Sequence, residues 1–360
     1  MSHINLLEAA YSNTDGCIVF RLVPDGLSDN REGRFFLSGS FNVWAEYPGP
    51  EWQLRLGNSG TYFLEKTICE LQIPGNSGYP EFQVVVVSSA GERNVLVCET
   101  RGLCVRIHNN ILVADCDSDT RKIADEIREK SRIKTLSEFN LLVEDDRKTV
   151  ANFRSVCGIR NLFRSYHPVK LSFPLLDTER VRSTIVKEEM EKCGIGSVVC
   201  LSGAEELDRA LGEERSIFHS RIRESGHEMC LDTSYEIAYY HTGSEQFGRL
   251  ISDVIRFVLD HPAPFLVHCR LGSDRTGVVC AVLAALCGAS WNEIAADYEK
   301  TSLAGFGEYR DSRLLAYSLG LLAGSPVNSE IGVQQLVRNS LCARGWISVK
   351  EVDRLKETLL

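Results

Sequence analysis

The chain has 360 residues, enough for about two domains. Its 44% apolar and 25% charged composition is that of a globular protein and excludes collagen-like, disordered and coiled-coil chains. A net charge of −9 and a sequence pI near 5.5 argue against a nucleic-acid partner, because a phosphate backbone calls for clustered excess Lys and Arg.

In chain order, Met1 to Gly16 carries no basic stretch followed by an apolar segment, so no secretory signal is expected there. From Cys17 to about Val105 short alternating runs dominate, such as Arg34-Phe-Phe-Leu-Ser and Phe82-Gln-Val-Val-Val-Val, divided by turns such as Pro74-Gly75-Asn76. That spacing predicts an all-β, immunoglobulin-like sandwich over residues 1–116. Asp117 to Lys148 is charge-rich, with apolar Ile123, Ile127, Ile133 and Leu136, and reads as a charged helical linker over 117–148.

From Thr149 onward helices alternate with short apolar strands: Glu179–Lys192, Gly196–Leu201, Phe247–Leu259, Phe265–Val267 and Thr276–Ala289. This predicts an α/β domain over 149–360, with a mainly parallel central sheet flanked by helices. Ser290 with Glu293 and Ser348 with Glu351 have capping-box spacing and should start two late helices. The longest apolar run, Val278–Ala289, is too short to span a bilayer, so no integral membrane segment is expected. Thirteen cysteines, scattered without C-x2-C pairs, fit neither a disulfide framework nor a zinc site and suggest a reducing cytoplasm.

The informative stretch is Phe265-Leu-Val-His-Cys-Arg-Leu-Gly-Ser-Asp-Arg-Thr-Gly, an apolar strand running through a loop into an apolar helix. A loop closing on a helix N-terminus turns backbone N–H groups inward, where no helical carbonyl can satisfy them, and the helix dipole adds positive potential. The loop residues Arg270, Leu271, Gly272, Ser273, Asp274 and Arg275 thus read as a phosphate cradle. Gly272 allows a backbone geometry that a side chain would obstruct, and Arg275 offers a planar fork for two phosphoryl oxygens. The same field favours a thiolate at Cys269, a nucleophile for attack on phosphorus, with hydrolysis of a phosphocysteine intermediate to follow. Arg275 and the amides meet the developing charge, so no metal or other cofactor is called for. Thr276 reads as a hydroxyl supporting the sulfur when it leaves. His268 reads either as a core histidine or as a residue orienting the loop.

The segment His268-Cys269-x-x-Gly272-x-Asp274-Arg275-Thr276-Gly277 resembles the cysteine-dependent protein tyrosine phosphatase superfamily, in its bacterial and fungal tyrosine/lipid phosphatase branch. Asn152-Phe153-Arg154, Phe163-Arg164-Ser165, Asp297-Tyr298 with Thr301, and Gly345-Trp346 through Leu360 extend the resemblance to about Thr149–Leu360. It implies a phosphomonoesterase of the dual-specificity type, acting on a phosphorylated protein or a small phosphoester. The branch often carries Lys where this chain has Ser273, and a D-L-R where it has Cys200-Leu201-Ser202; both departures weigh against a highly anionic lipid headgroup. The resemblance favours Asp274 as the general acid, whereas spacing in the wider superfamily points to Asp232, 37 positions before Cys269. Arg154 and Arg164 either line the pocket rim or pair with carboxylates. Two alternatives are a phosphoinositide or inositol phosphate phosphatase and a catalytically weak scaffold that binds phospho-ligands. A sulfurtransferase or arsenate reductase fits the loop less well.

Leu37-Ser-Gly-Ser-Phe-Asn-Val-Trp44, with Gly60-Thr-Tyr-Phe-Leu and Phe82-Gln-Val-Val-Val, resembles the early-set, glycogen-binding type of sandwich. The resemblance implies a carbohydrate or protein ligand, with Trp44 and Trp52 as sugar-stacking candidates, but the later loop Ser88–Asn94 lacks the second tryptophan of that platform. Trp44 therefore reads better as a turn-packing residue.

Overall fold

The strand period of two sends Phe35, Leu37, Phe82 and Val84 to one side of their strands, and all four are buried. The structure, a computed structural model, describes residues 5–12, 16–24, 33–57, 60–71, 80–107, 110–113, 120–203, 215–327 and 332–360. The chain divides into two units, Met1–Ser131 and Arg132–Leu360.

The first unit is all-β among its described residues up to Val113, apart from short helical turns. Its strands are β1 (Asn5–Tyr11), β2 (Cys17–Val23), β3 (Arg34–Gly39), β4 (Gln53–Leu56), β5 (Tyr62–Thr67), β6 (Glu81–Val87), β7 (Arg93–Leu96), β8 (Cys98–Gly102), β9 (Cys104–Ile107) and β10 (Asn110–Val113). They follow the order β8-β1-β2-β5-β4-β3-β6-β10-β9, with β7 on β6, and every pairing is antiparallel except β1 with β8. Strand β4 turns the corner: Gln53 and Leu54 pair with β3, Arg55 and Leu56 with β5. Leu7, Phe20, Leu37, Leu54, Phe82 and Ile111 meet in one core.

Trp52 belongs to that core: it is buried, stacks on Phe41 at 4.4 Å, and holds the Lys66 ammonium over its ring. The expectation that Trp52 is a sugar platform is therefore corrected, because its faces are covered. Trp44 is half-buried, in a left-handed turn with φ 54°. The Pro74-Gly75-Asn76 turn lies outside the described residues. In the stretch read as a linker, one helix runs Thr120–Lys130 and another Glu144–Val150, and Thr135 caps the turn Leu136–Glu138 between them.

In the second unit, β11 (Arg154–Ser155), β12 (Leu162–Ser165), β13 (Ser197–Cys200), β14 (Glu228–Cys230) and β15 (Phe265–His268) form a sheet of order β11-β12-β15-β13-β14. The pairs β12/β15, β15/β13 and β13/β14 are parallel, whereas β11/β12 is antiparallel. The sheet is thus mixed, not mainly parallel as expected. The six residues between β11 and β12 allow only a hairpin, since a parallel neighbour needs a long crossover. All residues of β13 and β15 are buried, as strands covered on both faces must be.

The helices used below are α1 (Thr178–Lys192), α2 (Tyr235–Tyr240), α3 (Glu245–Asp260), α4 (Asp274–Leu286), α5 (Trp291–Glu299) and α6 (Val349–Leu359). Helix α4 follows β15 through the cysteine loop and is buried from Thr276 to Leu286, so its apolar residues run all round and not along one stripe. Ser290 and Ser348 form the two expected capping boxes at the starts of α5 and α6.

Candidate active site

The loop Cys269–Ser273 lies where the carboxyl ends of β12, β15 and β13 meet the N-terminus of α4. Crevices at such strand ends are where open α/β sheets bind ligands. Its backbone is held from behind. Asn152 Nδ2 donates to the carbonyls of Leu271 (3.0 Å) and Gly272 (3.2 Å), and Arg164 Nη2 donates to those of Gly272 (2.8 Å) and Ser273 (3.4 Å). In a trans peptide the N–H points opposite to the carbonyl. Three carbonyls pulled toward Asn152 and Arg164 therefore turn the N–H groups of Gly272, Ser273 and Asp274 to the other side, toward the cradle.

Asp297 on α5 braces the two arginines. Its carboxylate takes Arg154 Nε at 2.8 Å and Arg164 Nη1 at 2.8 Å, and all three side chains are largely buried. Burial alone would raise the Asp297 carboxyl, but the two guanidinium ions outweigh it and hold it below its ordinary range. Burial, with the like charge of Arg164, pulls Arg154 down to about 10. Both arginines thus pair with a carboxylate, and Arg164 in addition holds the loop carbonyls.

Gly272 has φ +69°, and a Cβ there would sit 2.0 Å from the Ser165 carbonyl oxygen. Gly272→Ala should cut kcat/KM by about 10²-fold with the far-UV circular dichroism unchanged, because the loop must shift by an ångström or more to admit the methyl. A variant with wild-type rates would show that the close approach is irrelevant. Gly277 allows a second close approach, to the Tyr298 ring, which a Cβ would meet at 2.7 Å.

Cys269 is buried at 2% exposure at the base of the loop. Arg275 Nη1 donates to the carbonyls of Leu201 (3.1 Å) and Thr233 (3.2 Å), at the ends of β13 and β14. Its remaining N–H groups make no hydrogen bond among the described residues. Thr276 Oγ1 is buried with no hydrogen-bond partner among them either. His268 is buried, its Nδ1 is 3.4 Å from the Cys269 carbonyl, and burial brings its imidazole down to about 4, so the ring is neutral at neutral pH. Arg270 is exposed, over the Phe173 ring and donating to the Ser172 carbonyl. Leu271 points into the core with Phe153 and Tyr166.

The two acid candidates sit differently. Asp274, in the first turn of α4, accepts Arg310 Nη2 at 2.7 Å and the Tyr239 hydroxyl at 2.9 Å. Asp232 is exposed, bridged to Ser202, one residue before the carbonyl that anchors Arg275. Sequence reasoning missed Arg310 and Tyr239. Arg310 also donates to Ser273 Oγ at 3.1 Å and pairs with Glu308. Burial works against its charge, yet the carboxylates of Asp274 and Glu308 hold the guanidinium well above its ordinary range. No local spacing ties Arg310 to the loop, but the polar run Glu308-Tyr309-Arg310-Asp311 after two glycines was a usable hint.

A sequence profile described as the tyrosine phosphatase family matches residues 146–317, which contain the cysteine loop and all the loop-bracing residues above. This segment is a tyrosine phosphatase family domain. Solved structures similar to the chain include two phosphatases. The core catalytic domain of the PP-IP phosphatase SIW14 from S. cerevisiae, in complex with citrate, is 16% identical, with 54% of this chain and 94% of that one covered and a TM-score of 0.30. A provisionally assigned phosphatase from Neisseria meningitidis is 17% identical, with 39% and 83% covered and a TM-score of 0.23. No curated protein matches the chain significantly. The tyrosine phosphatase domain is a phosphoester hydrolase of the phosphatase class.

Proposed function

We propose that the chain hydrolyses phosphomonoesters of the phosphotyrosine or dual-specificity type through a phosphocysteine intermediate on Cys269. The observation that carries this reading is the loop held by Asn152 and Arg164, with its carbonyls behind and its amides toward the cradle at the start of α4. Cys269 attacks phosphorus in line. The amides and Arg275 hold the equatorial oxygens, and the Thr276 hydroxyl meets the sulfur as it departs. Asp274 delivers the proton to the leaving oxygen: it stands on the cradle's own helix turn, whereas Asp232 lies on an exposed loop. His268 supports the loop through the Cys269 carbonyl.

A singly phosphorylated substrate is favoured over a polyanion by Arg310, the cation beside Ser273, whose charge is already matched by Glu308. Rates on phosphopeptides, inositol phosphates and phosphoinositides test this choice, and fastest turnover of a phosphoinositide or inositol polyphosphate would reverse it.

Asp274→Asn should lower kcat by about 10²-fold or more on an alkyl phosphate and far less on p-nitrophenyl phosphate, whose leaving group needs no proton. Asp232→Asn should change both little. The opposite ranking would move the acid to Asp232.

We further read the first unit as an immunoglobulin-like, early-set module that recruits or packs, supported by its two-sided core and the corner strand β4. We also place the protein in the cytoplasm, on its thirteen cysteines without disulfide-framework spacing.

A further inference from the structure

A buried polar cluster lies beside the cysteine loop, and of its members only His268 enters the chemistry above. His167, Cys200 and His268 each bring a ligand-type atom within 4.8 Å of the others. His167 Nδ1 accepts the backbone N–H groups of Val169 (3.0 Å) and Lys170 (2.9 Å), and burial keeps the ring neutral. Its single proton is therefore on Nε2, and with Nδ1 occupied by two backbone N–H groups the ring offers no lone pair to a metal ion. His268 and Cys200 alone are too few to hold an ion.

Cys200 has another neighbour. On β13 it is in register with Cys230 of β14, the edge strand, just as it is with His268 of β15. In-register residues on adjacent strands send their side chains to the same face, and a strand spacing of about 4.8 Å is within the Cα separation that a disulfide spans. Cys200 is buried and Cys230 half-buried. The contact between the two thiols raises Cys200 and lowers Cys230, so the half-buried Cys230 is the more acidic of the two. Both lie just upstream of the groups that hold Arg275: Leu201, whose carbonyl is one acceptor, follows Cys200, and Thr233, whose carbonyl is the other, is three residues after Cys230.

We propose that Cys200 and Cys230 are a second reactive thiol site, a cross-strand pair that oxidises reversibly to a disulfide and disturbs the carbonyl anchors of Arg275. A peroxide is the oxidant. The Cys230 sulfur attacks one peroxide oxygen, an S–O bond forms, the O–O bond breaks, and hydroxide leaves to become water. The Cys200 sulfur then attacks the Cys230 sulfur of that sulfenic acid. The S–S bond forms, the S–O bond breaks, and the Cys200 thiol proton departs with the hydroxyl as a second water. Two thiols lose two electrons and the peroxide gains them. Closing the bond shifts β13 and β14 locally, at the strand ends that lead to Leu201 and Thr233.

The effect on turnover rests on the phosphatase reading; the crosslink does not, and the two are measured separately. Full-length Cys269→Ser protein treated with hydrogen peroxide and digested without reduction should yield one fragment joining Cys200 to Cys230. Wild-type protein treated with diamide, which takes two electrons from a thiol pair, should lose roughly tenfold or more of its aryl phosphatase activity. Dithiothreitol should restore it. Cys230→Ser should match wild type when reduced and resist diamide. Both thiols recovered free or separately modified would overturn the pair, and a crosslink that leaves turnover unchanged would overturn the coupling to Arg275. Reduced protein that lacks turnover yet forms the crosslink would count against the phosphatase reading and not against the thiol pair.

Discussion

Cys269→Ser should lower turnover of an aryl phosphate by roughly 10³-fold or more while binding of vanadate or sulfate persists. The reason is that the two functions reside in different atoms. Attack on phosphorus needs the sulfur, and a serine hydroxyl in its place lacks a thiolate's nucleophilicity. Anion binding needs the amides of Gly272, Ser273 and Asp274, whose direction is set by Asn152 and Arg164 pulling on the opposite ends of the same peptides. None of those bonds involves the side chain at position 269. Steady-state kinetics beside a thermal shift with and without vanadate separates the two outcomes. A serine variant that retains a tenth of the activity would remove Cys269 from the chemistry, and one that no longer responds to any oxyanion would show that the thiol itself shapes the cradle.

Asp297→Asn should destabilise the second unit by about 3–5 kcal/mol, because it leaves the buried Arg154 and Arg164 without their anion. The amide retains the size and part of the hydrogen bonding, so what is lost is mainly charge. The dependence on pH has a definite sign. Asp297 is held below its ordinary 3.8, so it contributes stability that is present above that value and lost as pH falls below it. The gap between wild type and Asp297→Asn, measured by urea unfolding, should accordingly be full at pH 7 and narrow in acid. A gap that is absent at pH 7, or that widens in acid, would contradict the bracing role.

These two residues also mark what could be read from the chain itself. Cys269, Gly272 and Arg275 were legible because a strand, a tight loop and a helix start are local features, each with its own residue preferences. The late helices were legible for the same reason, through Ser290 with Glu293 and Ser348 with Glu351. The role of Asp297 was not, since its partner Arg154 is 143 residues away and no spacing rule spans that distance. From the residues alone, Arg154 and Arg164 fitted a pocket rim as well as an ion pair, and only the tertiary fold distinguishes them. The sheet was misjudged in one pairing because β11 is two residues long and carries no periodicity to read. Trp52 looked like a surface ring because an aromatic near a turn gives no sign of which face it will find.

The carbonyls of Leu271, Gly272 and Ser273 are held by side chains of the protein itself. The conformational entropy of arranging the amides is therefore lost once, when the chain folds, and not again at every encounter. An incoming dianion sheds its hydration shell against donors that are already aimed, so selectivity among phosphoesters falls to whatever surrounds the mouth, with the loop itself indifferent to the group the phosphate hangs from.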